Sequence, residues 1–201
     1  MPRWAVHRRL YDWVLSLAHK PHGTAALFVL SFAESSFFPI PPDVLQIALT
    51  LERRSRAFYY AAVSAVASVL GGVAGYFIGW LLWSAVDEFF FKYIFSREVF
   101  DRVGVMYHDN AFWAIFTAAF TPIPYKVFTI AAGVFHEKVS LVTLVVASAV
   151  GRSGRFFLVA MLLWWLGPPV KGFIDRYFNL LSIVFTVLLI ASFVLLERFA
   201  E

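Results

Sequence analysis

Long apolar stretches alternate with short charged turns along the chain, and prolines interrupt two of the stretches. The uninterrupted runs at 57–86, 139–166 and 178–197 are long enough to span a membrane with some tilt. Residues 1–22 place apolar side chains at three- and four-residue steps among basic ones, which predicts a helix lying in the membrane interface. Residues 87–110 are charged but rich in aromatic residues, which predicts an amphipathic segment at the opposite interface.

The two interrupted stretches, residues 23–51 and 111–135, do not have the pattern of a single spanning helix. Prolines remove backbone donors and clash with the preceding turn, and the longer arm, 23–38, reaches only about 24 Å as a helix. That is less than the hydrocarbon core of about 30 Å. Each stretch is therefore predicted to form a re-entrant hairpin, with a proline-kinked spanning helix as the alternative. The predicted hairpin tips contain Pro39, Pro41, Pro42, Pro122 and Pro124.

The two hairpin sequences look like copies of one another. The Pro-Ile-Pro of 39–41 recurs at 122–124, and the same offset of 83 residues (122 − 39 = 83) places Gly71 on Gly154. Many transporters use such repeats with interrupted helices to hold a polar site at the middle of the membrane. The sequence predicts a single-domain, all-α membrane protein built as an inverted repeat. Each re-entrant hairpin is followed by a long transmembrane helix.

Composition and charge agree with a membrane location. Hydrophobic residues make up 61% of the 201 residues and the mean hydropathy is +0.74, above the 45–50% apolar content of soluble proteins. The net charge of +4 is scattered over segment ends, which argues against nucleic-acid binding. The absence of cysteine excludes disulfides and thiolate chemistry. No enzymatic activity, cofactor or metal is predicted.

The distribution of basic residues predicts an orientation. Residues 52–56 carry three Arg and one Glu, whereas residues 87–110 carry three basic and five acidic residues. The positive-inside rule then places 1–22, 52–56 and the connector 170–177 inside and 87–110 outside. The second hairpin would enter the membrane from the outside.

Five ionisable residues fall at predicted membrane depth, and they form the candidate substrate or proton site: Glu34, Asp43, Lys126, Arg152 and Arg155. Such residues are costly in hydrocarbon and commonly mark transport pathways. Arg152 and Arg155 are three residues apart, hence on one helix face, where two guanidinium groups can hold a phosphate. A neighbouring carboxylate could exchange a proton. The alternative is an ion-pair cluster that only locks the hairpins together.

A stripe of small residues follows the first hairpin. Gly71, Gly75 and Gly79 stand four apart in the 57–86 helix, so another backbone can approach them closely. We expect this stripe to pack against a hairpin, with a homodimer face or a lipid groove as alternatives.

At these motifs the chain resembles the DedA family of bacterial membrane proteins, also described as the SNARE-associated or VTT-domain family, and in particular its YqaA-like branch. The matching pieces cover roughly residues 25–165, and they are Glu34 with Phe-Pro-Ile-Pro-Pro-Asp43, Gly71–Gly79, Thr121-Pro-Ile-Pro-Tyr-Lys126 through Gly133, and Gly151-Arg-Ser-Gly-Arg155. The resemblance implies two facing re-entrant hairpins and an acidic pair important for activity, here Glu34 and Asp43. Many members carry an Arg pair around the second hairpin, where this chain has Ala119 and Lys126, so Arg152 and Arg155 are candidates to replace that charge.

The resemblance also implies a role in moving lipids, such as undecaprenyl phosphate or phospholipid, and a multi-pass location in the bacterial inner membrane. The leading functional hypothesis is a flippase or scramblase for lipids with a phosphate headgroup, coupled to protons. Two alternatives stay open: a proton-coupled carrier of small ions or cationic drugs, and a non-transporting membrane scaffold.

Overall fold

The computed structural model describes residue 17 and residues 22–37, 41–93, 96–121 and 123–166. Helices and the turns between them account for these residues, and no strand occurs among them, so the predicted all-α fold is confirmed. The α-helices in these ranges are α1 (Gly23–Ser36), α2 (Asp43–Glu52), α3 (Ala57–Leu81), α4 (Trp83–Tyr93), α5 (Arg97–Phe120), α6 (Tyr125–Val134) and α7 (Leu141–Leu166). The predicted helix at 178–197, nearly all of 1–22, and the tip residues Pro39 and Pro122 lie outside the described residues.

Two of the helices in the described ranges are long and apolar enough to cross a membrane, and they indicate a membrane protein. They are Arg54–Leu81, which comprises α3 and the 3-10 turn before it, and Leu141–Leu166, which is α7. The two helices run antiparallel. Arg54 donates hydrogen bonds to the last carbonyls of α7, whereas Tyr76 near the end of α3 donates to the carbonyl of Val139 ahead of α7 (3.0 Å).

The helix predicted over 57–86 is shorter than expected, because α3 ends at Leu81 and the chain turns into α4. The turn allows Trp83 to stack on Phe100 of α5, with ring centroids 4.8 Å apart and an interplanar angle of 8°. The segment predicted over 87–110 is likewise divided between α4 and α5. Helix α5 bends at Asn110 (φ −162°, ψ 88°), where the predicted amphipathic segment ends and the second interrupted stretch begins.

Helices α1 and α2 flank the first proline-rich segment and pack at the start of α3. Leu27 and Leu30 of α1, Leu45 and Leu49 of α2, and Tyr60 of α3 share one buried apolar cluster. Leu49 is near the end of α2 and Tyr60 near the beginning of α3, so α2 returns to the end of the bundle where α3 begins. Helix α1 runs parallel to α3, and its last residue, Ser36, donates to the carbonyl of Gly71 halfway along α3 (3.0 Å).

Helices α5 and α6 flank the second proline-containing segment and pack along the second half of α3. The hydroxyl of Tyr107 on α5 donates to the carbonyl of Phe128 on α6. Phe100, near the start of α5, stacks on Phe135, just after α6 (5.5 Å). The start of α5 and the end of α6 therefore lie near Leu81 at the end of α3. The start of α1 and the end of α2 lie at the opposite end of the bundle, where α3 begins. We say that each helix pair opens at the end of the bundle where these termini lie.

The glycines of α3 are the points at which both helix pairs approach it most closely. A Cβ atom at Gly71 would lie 2.3 Å from the carbonyl oxygen of Phe32 on α1, and one at Gly79 would lie 2.0 Å from that of Ile130 on α6. At Gly75 the nearest atom is the hydroxyl of Thr129 on α6, at 2.5 Å. Any side chain at these positions would push α1 or α6 away from α3.

Candidate functional site

The candidate site lies at the middle of α7. Arg152 is 11 residues after Leu141 (152 − 141 = 11), and Arg155 is 11 residues before Leu166 (166 − 155 = 11). At 1.5 Å per residue both ends of α7 are about 16 Å from the nearer arginine. Two cations therefore occupy the centre of a helix that is otherwise apolar enough to span a bilayer.

Arg152 forms the inner of two ion pairs. Its Nη2 lies 3.0 Å from Oε2 of Glu34, and the two side chains are 3% and 17% exposed. The same Nη2 lies 3.3 Å from Oγ of Ser35, and Ser35 is hydrogen-bonded in turn to Ser68 of α3. The inner pair is thus connected through the Ser35 hydroxyl to a hydroxyl group of α3.

Tyr125 and Ser148 complete the surroundings of Arg152, and sequence reasoning did not include them. The guanidinium carbon of Arg152 lies 4.1 Å from the centre of the Tyr125 ring, a cation–π arrangement, and the Tyr125 hydroxyl donates to Oγ of Ser148. Two signals were present in the sequence. Tyr125 directly precedes Lys126 after the second Pro-Ile-Pro, and Ser148 is one helical turn before Arg152.

Arg155 forms the outer ion pair, with better geometry and more solvent contact. Its Nε and Nη2 donate to Oδ1 and Oδ2 of Asp43 at 3.3 and 2.9 Å, and the side chains are 18% and 20% exposed. Its Nη1 donates to the carbonyl oxygen of Thr121 at 2.9 Å. That carbonyl has no continuing helix to bond, since α5 ends at Phe120 and Pro122 and Pro124 follow.

The interruptions in the helices explain how the partners reach α7. Glu34 lies in the last turn of α1, Asp43 is the first residue of α2, Thr121 follows α5, and Tyr125 is the first residue of α6. Four helix ends thus meet at one depth. Gly151 permits the approach of α5, because a Cβ there would lie 2.7 Å from the Cβ of Ala119 and 3.0 Å from the carbonyl oxygen of Phe116.

The structure therefore brings the predicted site residues together as two specific pairs, Glu34 with Arg152 and Asp43 with Arg155. Lys126 is on the first turn of α6, partly buried, and interacts electrostatically with Glu34. Three positive and two negative charges leave the group one positive charge in excess. Two guanidinium groups on one helix face with a net positive charge suit an anion such as a phosphate group.

Comparison with known proteins identifies two relatives that match most of the chain. An uncharacterized protein of Haemophilus influenzae is 31% identical over 195 residues, which cover 94% of this chain and 97% of that protein. An uncharacterized protein of Histophilus somni is 29% identical over 158 residues, or 79% and 81% of the two chains. No family model and no solved structure matches the chain. At this identity and coverage, the chain belongs to the same family as the uncharacterized Haemophilus influenzae protein.

Proposed function

We propose that the protein is a multi-pass protein of the bacterial inner membrane that moves phosphate-bearing lipids between leaflets, as the resemblance to the DedA family implies. It acts as a flippase or scramblase, with protons coupled to the movement. The observation that carries the proposal is the pair of arginine–carboxylate contacts at the centre of a spanning helix.

The cost of these charges supports a functional role. A charged side chain at the centre of a spanning helix costs about 2.5–3.5 kcal/mol on insertion scales. Replacing a buried ion pair by apolar residues is often neutral or stabilising by about 1–4 kcal/mol. Apolar packing would therefore hold α1, α2 and α7 together at lower cost, and charges at this depth fit a site that binds an anion.

The short helices support two re-entrant hairpins. Helix α1 has 14 residues and α6 has 10, so they extend about 21 and 15 Å, less than the hydrocarbon core of about 30 Å. The α1–α2 pair opens where α3 begins and the α5–α6 pair where α3 ends. Hairpins entering from opposite faces, with their tips meeting at the arginines, fit this arrangement.

The helix bounds support a duplicated unit. Adding 83 to the bounds of α2, 43–52, gives 126–135, beside the observed 125–134 of α6. Adding 83 to the bounds of α3, 57–81, gives 140–164, beside the observed 141–166 of α7. Each half thus contributes an interrupted helix pair followed by a long helix, which is the architecture of many secondary transporters.

In the transport step the lipid phosphate replaces Asp43 on Arg155. The outer pair is the accessible one, at 18% and 20% exposure, and its guanidinium presents a fork that fits carboxylate and phosphate equally. Asp43, once displaced, takes up a proton, because an unpaired carboxylate at this depth is costly when charged. The phosphate crosses the centre of the membrane on the arginines while the lipid tails remain in the bilayer.

A membrane scaffold is the second candidate, and one observation favours it. Both carboxylates are already bonded to arginines, as they would be in a cluster that only fixes the helices. The variant Arg155→Lys distinguishes the scaffold from the lipid transporter, because it should keep the ion pair that a scaffold needs but weaken phosphate binding. Lysine keeps the charge beside Asp43 but loses the fork and the planar contact to Thr121.

The test is lipid movement in liposomes that contain the purified protein. Headgroup-labelled phospholipid and labelled undecaprenyl phosphate are followed with and without a proton gradient. We expect movement above that of protein-free liposomes, and a loss of at least tenfold in rate for Arg155→Lys at equal amounts of folded protein. Arg56→Lys, the same change at an exposed arginine, should keep the wild-type rate. If liposomes that contain the wild-type protein move neither lipid, the proposed lipid transport is wrong and the scaffold function is favoured.

A further inference from the structure

Among the described residues, five buried polar side-chain atoms have no hydrogen-bond partner, and four of them lie on one side of the ion pairs. The four are Oγ of Ser31, Oε1 of Gln46, Oγ1 of Thr50 and Oγ of Ser64, and the fifth is Nε of Arg152. The four side chains belong to residues that are 0–1% exposed. We call Ser31, Gln46, Thr50 and Ser64 the polar seam.

The polar seam begins directly beside the inner ion pair. Ser35, which contacts both Glu34 and Arg152, is bonded to Ser68 across the α1–α3 interface. Ser31 is one helical turn before Ser35, and Ser64 is one turn before Ser68. Because α1 and α3 run parallel, both seam serines lie about 6 Å closer to the end of the bundle where α3 begins.

The other two seam residues are on α2, and they lie toward the same end of the bundle. Gln46 donates from Nε2 to the carbonyl of Phe156 on α7 (3.0 Å), while its Oε1 has no partner. Thr50 is one turn further along α2, two residues before the helix ends at Glu52. The turn at 53–56, which we call the basic turn, follows immediately. The four residues therefore occupy depths from one helical turn beyond Ser35 almost to the basic turn.

The contact between α3 and α7 beside the seam is formed by apolar side chains. Ala57, Ala61 and Ala65 of α3 pack against Phe156 and Ala160 of α7 with no polar atom. A buried polar group left without a partner costs about 1–3 kcal/mol. Buried water is the usual partner of such groups, since one molecule makes about three hydrogen bonds to groups that otherwise lack them.

We propose that the polar seam holds a file of water molecules that carries protons between Glu34 and the basic-turn end of the bundle. This inference rests on the proton coupling of the proposed function. It adds Glu34 to Asp43 as a second carboxylate that takes up a proton, and it gives the route and the side from which that proton comes. Along the file each oxygen accepts one proton and passes another on. At the last step a hydronium ion gives its proton to the Glu34 carboxylate and becomes water.

The charges around Glu34 determine when this step is favourable. Arg152 on α7 and Lys126 and Tyr125 on α6 act on Glu34, and Ser35 donates to it. A lipid phosphate that approaches the arginines offsets their charge, so proton uptake by Glu34 becomes favourable when the lipid is bound.

Cysteine accessibility tests the water file without any transport assay. The chain contains no cysteine, so Ser31→Cys and Ser64→Cys each introduce a single, nearly isosteric thiol. The protein in liposomes is treated with Ag⁺ from the basic-turn side, then denatured, and the remaining thiol is counted with a maleimide. Ala65→Cys is the matched control, adjacent in sequence to Ser64 but in the apolar cluster.

We expect Ag⁺ to block Ser31→Cys and Ser64→Cys at least tenfold faster than Ala65→Cys. Side-chain exposure alone predicts no such preference, because Ala65 is 5% exposed and Ser64 is 0% exposed. Equal rates at the three positions would overturn the water file.

Proton flux tests the route. The double variant Ser31→Ala/Ser64→Ala should lose at least tenfold in lipid-dependent proton flux into liposomes, read by an internal pH dye. Its melting temperature should stay close to that of the wild type, since neither hydroxyl bonds to another group of the protein. Ser36→Ala is the control, because that buried hydroxyl on the same helix is bonded to the carbonyls of Phe32 and Gly71. Its flux should stay at the wild-type rate.

The outcomes separate the inference from the proposed function. Full flux in Ser31→Ala/Ser64→Ala contradicts the route. A wild-type protein that moves lipid but no protons contradicts proton carriage by the seam and leaves lipid transport standing. A wild-type protein that moves no lipid contradicts the proposed function, and with it the proton route that rests on it, whereas the Ag⁺ rates decide the water file independently.

Discussion

Neutralising Glu34 and Asp43 one at a time should cost different amounts of stability, because their arginine partners differ in burial. Glu34→Gln leaves the charge of Arg152, which is 3% exposed, without a carboxylate, and breaking a buried pair from one side costs about 3–5 kcal/mol. The new amide oxygen can still accept one hydrogen bond, which offsets about 1 kcal/mol. We therefore expect Glu34→Gln to lower the free energy of unfolding by about 2–4 kcal/mol.

Asp43→Asn should be milder. Arg155 and Asp43 are 18% and 20% exposed, and the carbonyl of Thr121 still accepts from Arg155 after the change. An exposed ion pair contributes about 0–1 kcal/mol, whereas breaking a buried one costs about 3–5 kcal/mol. The Asp43–Arg155 pair lies between these limits, so we expect Asp43→Asn to cost about 1–2 kcal/mol. The two variants should then differ by about 1–2 kcal/mol, or about 2–8 °C in melting temperature for a chain of this size.

The assay is thermal unfolding in detergent followed by circular dichroism, with lipid transport measured on the same preparations. Glu137→Gln, a neutralised carboxylate in an exposed turn, is the control and should melt like the wild type. Both site variants should lose transport. The double variant Asp43→Leu/Arg155→Leu should recover the stability of the wild type but not its transport. If Asp43→Asn melts at or below the temperature of Glu34→Gln, burial does not control the cost, and the assignment of inner and outer pairs is wrong.

Two further changes test the arrangement of the helices. Cysteines introduced at Ser55 and Glu137 should label from opposite faces of an intact cell, because the two hairpins are proposed to open on opposite sides; labelling from one face would refute the inverted arrangement. Gly133→Ala should lower the melting temperature by about 2–12 °C, the equivalent of about 1–3 kcal/mol, because its Cβ would lie 1.9 Å from the carbonyl oxygen of Tyr76 and two helix backbones would have to separate. Gly104→Ala, where the nearest atom is the tip of a phenylalanine ring at 2.7 Å, should cost less, and an equal loss would show that the close backbone contact is not the cause.

The features that local sequence determines were predictable. Prolines in a helix interior remove a backbone hydrogen bond and clash with the preceding turn, so the break before Asp43 and the break after Phe120 could be predicted from the sequence. The central position of Arg152 and Arg155 follows from the length of the apolar run around them. These two facts are sufficient to predict a polar site at the depth of the helix breaks.

The remaining features depend on contacts between distant segments. Which carboxylate bonds which arginine is decided by the placement of α1 and α2 against α7. The turn after Leu81 brings Trp83 onto Phe100, a contact between separate helices that no local propensity encodes. Tyr125 was missed because a tyrosine beside a charged residue is typical of a membrane interface, and only the folded chain places its ring on Arg152.

Arg54 has a consequence for how the molecule can move. Its guanidinium ties the first turn before α3 to the carbonyls of Trp164 and Trp165, and it also lies 5.9 Å from the Trp164 ring. At the opposite end Tyr76 fastens α3 to Val139. Because α3 and α7 are bonded to each other at both ends, we expect them to move as one rigid body. In the proposed transport cycle we therefore expect the interrupted helices to move against α3 and α7. Two ion pairs attach the interrupted helices to α7 near its middle.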